Sequence, residues 1–143
     1  MRMTSSEILA EGNIKPSLIR VMIFDYLREH RTHPTVDDIY IDLHPKIPTL
    51  SKTTVYNTVK LLAAAGIIKT ITIEDSQLRY DACTDTHGHF LCSLCGRVYD
   101  FDTGDFPVSG LDGFAVQTKD IYCTGICKNC VVKNKIQKGE ERL

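Results

Sequence analysis

His87-Gly-His-Phe-Leu-Cys-Ser-Leu-Cys-Gly-Arg-Val-Tyr-Asp100 is the stretch on which the reading of this chain turns. Cys92-Ser-Leu-Cys95 is a C-x-x-C pair closed by Gly96, and Cys127-Lys-Asn-Cys130 repeats the pair 35 residues later. Two such knuckles offer four thiolates, the donor set of a closed tetrahedral Zn²⁺ site. Gly96 supplies the tight turn that points both sulfurs of the first pair at one ion. A thioredoxin-like redox motif would need a single C-x-x-C at a strand-to-helix junction. Four unrelated core cysteines are the alternative, and the paired spacing speaks against them.

The same stretch carries nitrogen and oxygen donors. His87 and His89 are two apart, so on a strand both imidazoles project from one face. Asp81 lies upstream and Asp100 downstream. A His/His/Asp/Asp set is harder and more open than four sulfurs, and suits Fe²⁺ or Mn²⁺ better than structural zinc. Spacing alone leaves solvated histidines and aspartates open as the alternative.

The 143 residues, 43% of them apolar, allow one domain or two small ones with a core. No run approaches the roughly 18 apolar residues of a membrane span, and no signal-peptide pattern opens the chain. The six cysteines therefore read as intracellular metal ligands rather than a secreted disulfide framework, and the expected location is the cytoplasm. The net charge of −1 excludes a generic polyanion binder. Residues 1–80 carry ten Lys and Arg against nine Asp and Glu, and residues 81–143 carry seven against nine. A nucleic-acid site must then be a local patch in the first half.

The first half reads as helices followed by a hairpin. Met3 to Ala10 suggests a short helix starting near Ser5 or Ser6. Ile19, Met22, Ile23, Tyr26, Leu27 and His30 recur at helical spacing, with Pro16 in the first turn. His33 sits in a loop, held extended by the following proline. Thr35-Val-Asp-Asp38 resembles a capping box for a helix that stops before Pro45. Ser51 is a good N-cap for residues 52–65, with Leu50 stapled onto Val55 and Gly66 as a left-handed cap. Val55, Val59 and Leu62 form the buried stripe of that helix. Thr53, Tyr56, Asn57 and Lys60 remain on its outward faces, able to touch phosphates or base edges. Residues 68–73 and 78–80 suggest a hairpin turning at 74–77. This is the order of a winged helix-turn-helix, whose helix 52–65 would enter the major groove.

Residues 82–86 are short and polar and read as a hinge. Tyr99 to Gly104 reads as strand then loop, and 106–110 as loop. Phe114 to Cys123 reads as a strand pair or one long strand, and the charged tail from Lys133 as frayed.

His33-Pro-Thr-Val-Asp-Asp-Ile-Tyr40, Thr53-Thr-Val-Tyr-Asn57, Tyr80-Asp81, His87-Gly-His89 and the two cysteine knuckles together resemble the ferric uptake regulator family of bacterial metalloregulators. The resemblance covers nearly the whole chain. It implies an α+β protein: a winged helix-turn-helix DNA-binding domain at 1–81, a hinge at 82–86, and a small α/β dimerisation and metal-binding domain at 87–143. It implies structural Zn²⁺ on Cys92, Cys95, Cys127 and Cys130. A regulatory Fe²⁺ or Mn²⁺ would use His33, Asp81, His87, His89 and Asp100. DNA contacts are expected from Lys15, Ser51, Thr53, Tyr56, Asn57 and Lys60. Members are usually homodimers on palindromic double-stranded DNA operators.

Aspartate at 81 and 100, and Thr-Val-Tyr-Asn in the recognition helix, look most like the peroxide-responsive branch. His33 and His87 would then be the residues that peroxide oxidises. Gln117-Thr-Lys-Asp120 lacks the histidine of an additional family metal site. Cys83 and Cys123 lie outside the zinc pattern and read as small buried hydrophobes, with a redox role as the alternative. The leading expectation is a repressor with Fe²⁺ or Mn²⁺ as co-repressor, followed by iron sensing without peroxide chemistry and then zinc sensing. A zinc-ribbon adaptor whose winged helix binds protein is the reading from another class. No nucleophile–base pair or nucleotide loop supports an enzyme.

Overall fold

The computed structural model describes residues 2–74, 76–83, 87–104, 108–117 and 119–134. The chain divides into two compact units, Met1–Thr84 and Asp85–Leu143. Part of the expected hinge (84–86), part of the expected loop 106–110, and the tail from 135 lie outside the described residues.

The first unit runs α1 (Ser5–Glu11), α2 (Leu18–Glu29), α3 (Val36–Leu43), α4 (Lys52–Ala64), β1 (Lys69–Ile71) and β2 (Arg79–Asp81). β1 and β2 pair antiparallel with Thr70 opposite Tyr80, which makes the unit a winged helix. Its helix starts follow from short hydroxyl and carboxylate side chains. Thr35 and Asp38 form the expected reciprocal capping box, and Ser51 Oγ accepts the Thr54 N–H. At the end of α4, Gly66 has φ +73°, and the Ile67 and Gly66 amides return to the carbonyls of Leu62 and Ala63. That is a Schellman cap, and a side chain at 66 would be strained in it.

α1 begins at Ser5, as expected, with Thr4 capping it in a box with Glu7. Ser5 itself is buried, donating to Asp25 and accepting from Arg28 Nη1, so it docks α1 on α2. One start differs from expectation. Pro16 lies outside the first turn of α2, because Ser17 caps that helix through the Arg20 amide. The stripe of α2 also includes buried Phe24, while His30 is exposed and stacked on Tyr26.

Leu9, Ile23, Leu27, Ile39, Val55, Val59 and Leu62 meet in one core, which fixes α4 against the other helices. Each buried side chain of this kind stabilises by about 1.5–3 kcal/mol. Leu50 and Val55 are both buried in that core, as the staple requires.

The second unit contains β3 (Gly88–Cys92), β4 (Val98–Phe101), β5 (Ile121–Gly125) and α5 (Lys128–Lys133). The sheet order is β4-β3-β5, antiparallel between β3 and β4 and parallel between β3 and β5. The expected strand over 114–123 is corrected to one that begins at Ile121. Phe114 and Val116 are more than half exposed and outside any strand, and β propensity without a ladder partner does not make one. No helix among the described residues is long and apolar enough to cross a membrane.

Candidate metal centres and nucleic-acid face

The four cysteines of the two knuckles come together. Cys92 ends β3, Cys95 closes the turn after it, Cys127 caps α5 and Cys130 lies in its first turn. Gly96 turns the first knuckle with φ +74° and donates to the Cys92 carbonyl at 2.9 Å. The four Sγ atoms lie within 4.8 Å of one another, with Cys95 and Cys127 3.9 Å apart. Sulfurs held about 2.3 Å from a tetrahedral ion would be about 3.8 Å apart. The donor set and its spacing therefore fit Zn²⁺.

Local dipoles prepare the cage. The amides of Cys95 and Cys127 donate to Cys92 Sγ at 3.4 and 3.3 Å. These N–H groups, that of Cys95 first, hold the Cys92 thiol down at about 6. A hydrogen bond from Tyr99 likewise lowers Cys127. Cys130 moves the other way, pushed up to about 12 chiefly by its hydrogen bond to Cys127. Four crowded sulfurs cannot all carry charge unless a cation sits among them. Tyr99 was invisible as part of this site in the sequence, although its alternation with Val98 on β4 places it beside the knuckle.

The nitrogen and oxygen donors form two groups, one in each unit. In the second, His89 faces Asp100 across the β3–β4 ladder. His87 and His89 both place Nε2 3.2 Å from Asp100 Oδ1, and their rings are 4.5 Å apart. Ligand atoms about 2.1 Å from an octahedral ion lie about 3.0 Å from one another, so the three side chains can share one metal. Gly88 between the histidines is required by packing, because a Cβ there would collide with the Phe101 ring.

In the first unit, His33 Nε2 lies 3.6 Å from Asp81 Oδ2, and both side chains are almost fully buried. One expectation for His33 is overturned: its backbone is not extended, because its φ is +59°. The proline after it disfavours right-handed helix but does not force an extended φ, and contacts from β2 select the left-handed one. Arg79 Nη1 donates to the His33 carbonyl at 3.1 Å, and the Tyr80 amide donates to the Pro34 carbonyl at 3.0 Å. Arg31 Nε approaches Asp81 Oδ1 at 3.7 Å. Neither arginine was singled out in the sequence, although Arg79 shares a strand face with Asp81 through their spacing of two.

The candidate DNA face is set by α4. Ser51, Thr53, Tyr56, Asn57 and Lys60 are all exposed, while Val55, Thr58, Val59 and Leu62 face inward. Thr58 was not expected inside; its hydroxyl donates to the Thr54 carbonyl at 2.8 Å, which satisfies it. Lys60 Nζ sits 6.0 Å over the Tyr56 ring. Lys15 is exposed before α2, and its carbonyl accepts from Arg20 Nη1 at 3.1 Å. Arg20 and Asn57 line a groove of about 240 Å³ beside Ser17 and Thr54. Cys83 is half-buried, whereas Cys123 is exposed on β5 and so is not the buried hydrophobe expected.

A model of the ferric uptake regulator family matches residues 11–108. The peroxide operon regulator of Bacillus subtilis is 33% identical over 132 residues, covering 89% of this chain and 91% of that protein. The peroxide-responsive repressor PerR of Staphylococcus epidermidis is 33% identical over 127 residues, covering 85% of each. The crystal structure of the Vibrio cholerae ferric uptake regulator superposes with a TM-score of 0.72 at 22% identity, over 85% of this chain and 98% of that one, a likeness of fold. PerR from Streptococcus pyogenes superposes with a TM-score of 0.51 at 32% identity, over 87% and 88%. With a winged helix, a four-sulfur cage and paired His/Asp donors in place, the chain belongs to the ferric uptake regulator family.

Proposed function

We propose that the chain is a metal-dependent transcriptional repressor that binds palindromic operator DNA as a homodimer and senses peroxide. The observation that carries this reading is the pair of His/Asp groups, each assembled inside its own unit, in a chain 33% identical to peroxide-responsive repressors. Cys92, Cys95, Cys127 and Cys130 hold structural Zn²⁺. The regulatory Fe²⁺ or Mn²⁺ takes His33 and Asp81 from the first unit and His87, His89 and Asp100 from the second. Residues 1–81 serve DNA binding, 82–86 act as hinge and 87–143 carry the dimer contacts. The protein works in the cytoplasm, where its operator is.

Iron, when bound, supplies one-electron chemistry towards H₂O₂, which Mn²⁺ does not run readily. The chain's part is ligation and geometry. The carboxylates of Asp81 and Asp100 match the hardness of either ion, and the imidazoles of His33, His87 and His89 complete the set. Ligands drawn from both units make metal binding favour one arrangement of them, and occupancy shifts the population towards it. An oxidised imidazole at His33 or His87 is a poorer ligand, so the preference is lost with it. Ser51, Thr53, Tyr56, Asn57 and Lys60 of α4, together with Lys15, meet the DNA.

The adaptor reading is not favoured by the relatives, which are regulators named for peroxide response. The test is a gel shift on genomic fragments enriched by the Mn²⁺-loaded protein, with and without Mn²⁺ or Fe²⁺. Binding that appears with either ion, and that H₂O₂ abolishes only in the Fe²⁺ form, is expected. Metal-independent binding, or none, would overturn the reading.

A further inference from the structure

His33 has an unusual backbone. Among the described residues, only it and Asn13 have positive φ without being glycine. Asn and His enter this region more readily than other side chains, but the residue before a proline is ordinarily pushed to extended backbone. Contacts from outside the loop hold His33 there.

Three successive residues of β2 do so. Arg79 donates to the His33 carbonyl, the Tyr80 amide donates to the next carbonyl at Pro34, and Asp81 lies beside the His33 ring. Arg79 and Asp81 share one face of the strand, so one grips the backbone of His33 and the other its imidazole. Arg79 is itself fixed, because its Nε pairs with Glu74, in the turn of the wing. Both side chains of that pair are largely buried, at 14% and 18% exposure. The planar fork of arginine can satisfy Glu74 through one arm and His33 through another. A lysine ammonium has no second arm held in that plane.

We propose that Arg79 is a positioning residue for the regulatory metal. It holds the His33 backbone in the left-handed conformation that sets the imidazole beside Asp81, and through Glu74 it ties this ligand to the wing. The proposal rests on the reading of His33 as a regulatory ligand. Partners that orient a metal ligand typically change affinity by about 10–100-fold when removed.

The test uses the full-length zinc-loaded protein and three variants, Arg79→Lys, Arg79→Gln and His33→Ala. Mn²⁺ affinity is measured by calorimetry, beside cysteine-bound zinc content and the melting midpoint. Arg79→Lys keeps a positive charge opposite Glu74, so it is expected to melt like the parent while binding Mn²⁺ at least about tenfold more weakly. A purely structural role would move the melting midpoint with the affinity, or neither. Arg79→Gln is expected to lose at least as much Mn²⁺ affinity; if it misfolds, Arg79→Lys alone decides. His33→Ala binding Mn²⁺ poorly, with Arg79→Lys binding like the parent, would overturn this inference and leave the functional reading standing. His33→Ala binding Mn²⁺ like the parent would remove the ligand assignment and the inference together.

Discussion

Replacing Cys95 with serine tests what holds the second unit together. The unit has about 60 residues, a size at which an apolar core alone is marginal. Among its described residues the buried cluster is Cys92, Cys127 and Cys130, with Phe90, Tyr99 and Ile126 packed partly against it. Val98 is the other buried apolar side chain there, worth about 1.5–3 kcal/mol, and each half-buried neighbour contributes less. A structural zinc contributes about 10–16 kcal/mol in small peptides. Such a metal would outweigh any single packing contact in the unit, and three of the four cysteines proposed to hold it are also its core.

Cys95 is the exposed member of the cage, so serine there leaves no buried void. The loss then reports metal ligation rather than packing. Cys95→Ser should release zinc to a chromophoric chelator, lose the dimer by light scattering, and lose one calorimetric transition. The transition of the first unit should persist, because its core of leucines, isoleucines and valines is separate. A zinc-free Cys95→Ser protein that stays dimeric, with both transitions unmoved, would refute the reasoning.

Three further outcomes are expected. Tyr56→Ala should cost about 1–3 kcal/mol of operator discrimination, whereas Lys60→Ala should weaken all DNA alike and reduce the salt slope by about 1; equal affinity after both changes would remove α4 from the DNA interface. A stoichiometric pulse of H₂O₂ on the Fe²⁺ form should add about 16 Da at His33 or His87, read by peptide mass spectrometry, and leave the Mn²⁺ form unmodified; oxidation confined to cysteines would favour plain iron sensing. Tyr26 donates to Asp42 Oδ2 at 2.5 Å, and burial followed by that carboxylate raises its phenol well above 10. Because the folded value is the higher one, this contribution is full below about pH 10 and is lost as pH climbs beyond it, so Tyr26→Phe should flatten the alkaline fall in urea-melt stability.

Much of the winged helix was legible because its signals are local. Thr35 with Asp38, Ser51, Leu50 with Val55, and Gly66 each act within five residues of one another, and all appear in place. The zinc cage was legible for the same reason, since each knuckle is a three-residue interval. What failed depends on distant neighbours. Pro16 falls outside α2 because Ser17 takes the cap, and Ser5 docks on Asp25 and Arg28 of α2, which nothing in residues 3–10 announces. Phe114 to Asp120 has strand-like composition, but β5 pairs with β3 only from Ile121 onwards. The backbone of His33 was the largest loss. Its positive φ is held by contacts from β2, whose Arg79 lies 46 residues away.

The two metal chemistries also bear on how one chain keeps its ions apart. At an ordinary nitrogen–oxygen site zinc binds more tightly than Fe²⁺ or Mn²⁺, so a regulatory site cannot exclude it by affinity alone. Four sulfurs within 4.8 Å, one thiol already lowered to about 6 by backbone N–H groups, take zinc by softness and by preparation. The remaining donors are divided, with His33 and Asp81 built into the wing side of one unit and His87, His89 and Asp100 into the β3–β4 ladder of the other. Neither group alone has the four donors of a closed tetrahedral site. A set of five nitrogen and oxygen donors without sulfur is one that six-coordinate Fe²⁺ and Mn²⁺ accept, and it exceeds the four that a closed tetrahedral zinc site takes. If the proposed regulatory site takes both groups, as the function proposed above requires, that division would serve selectivity as well as coupling.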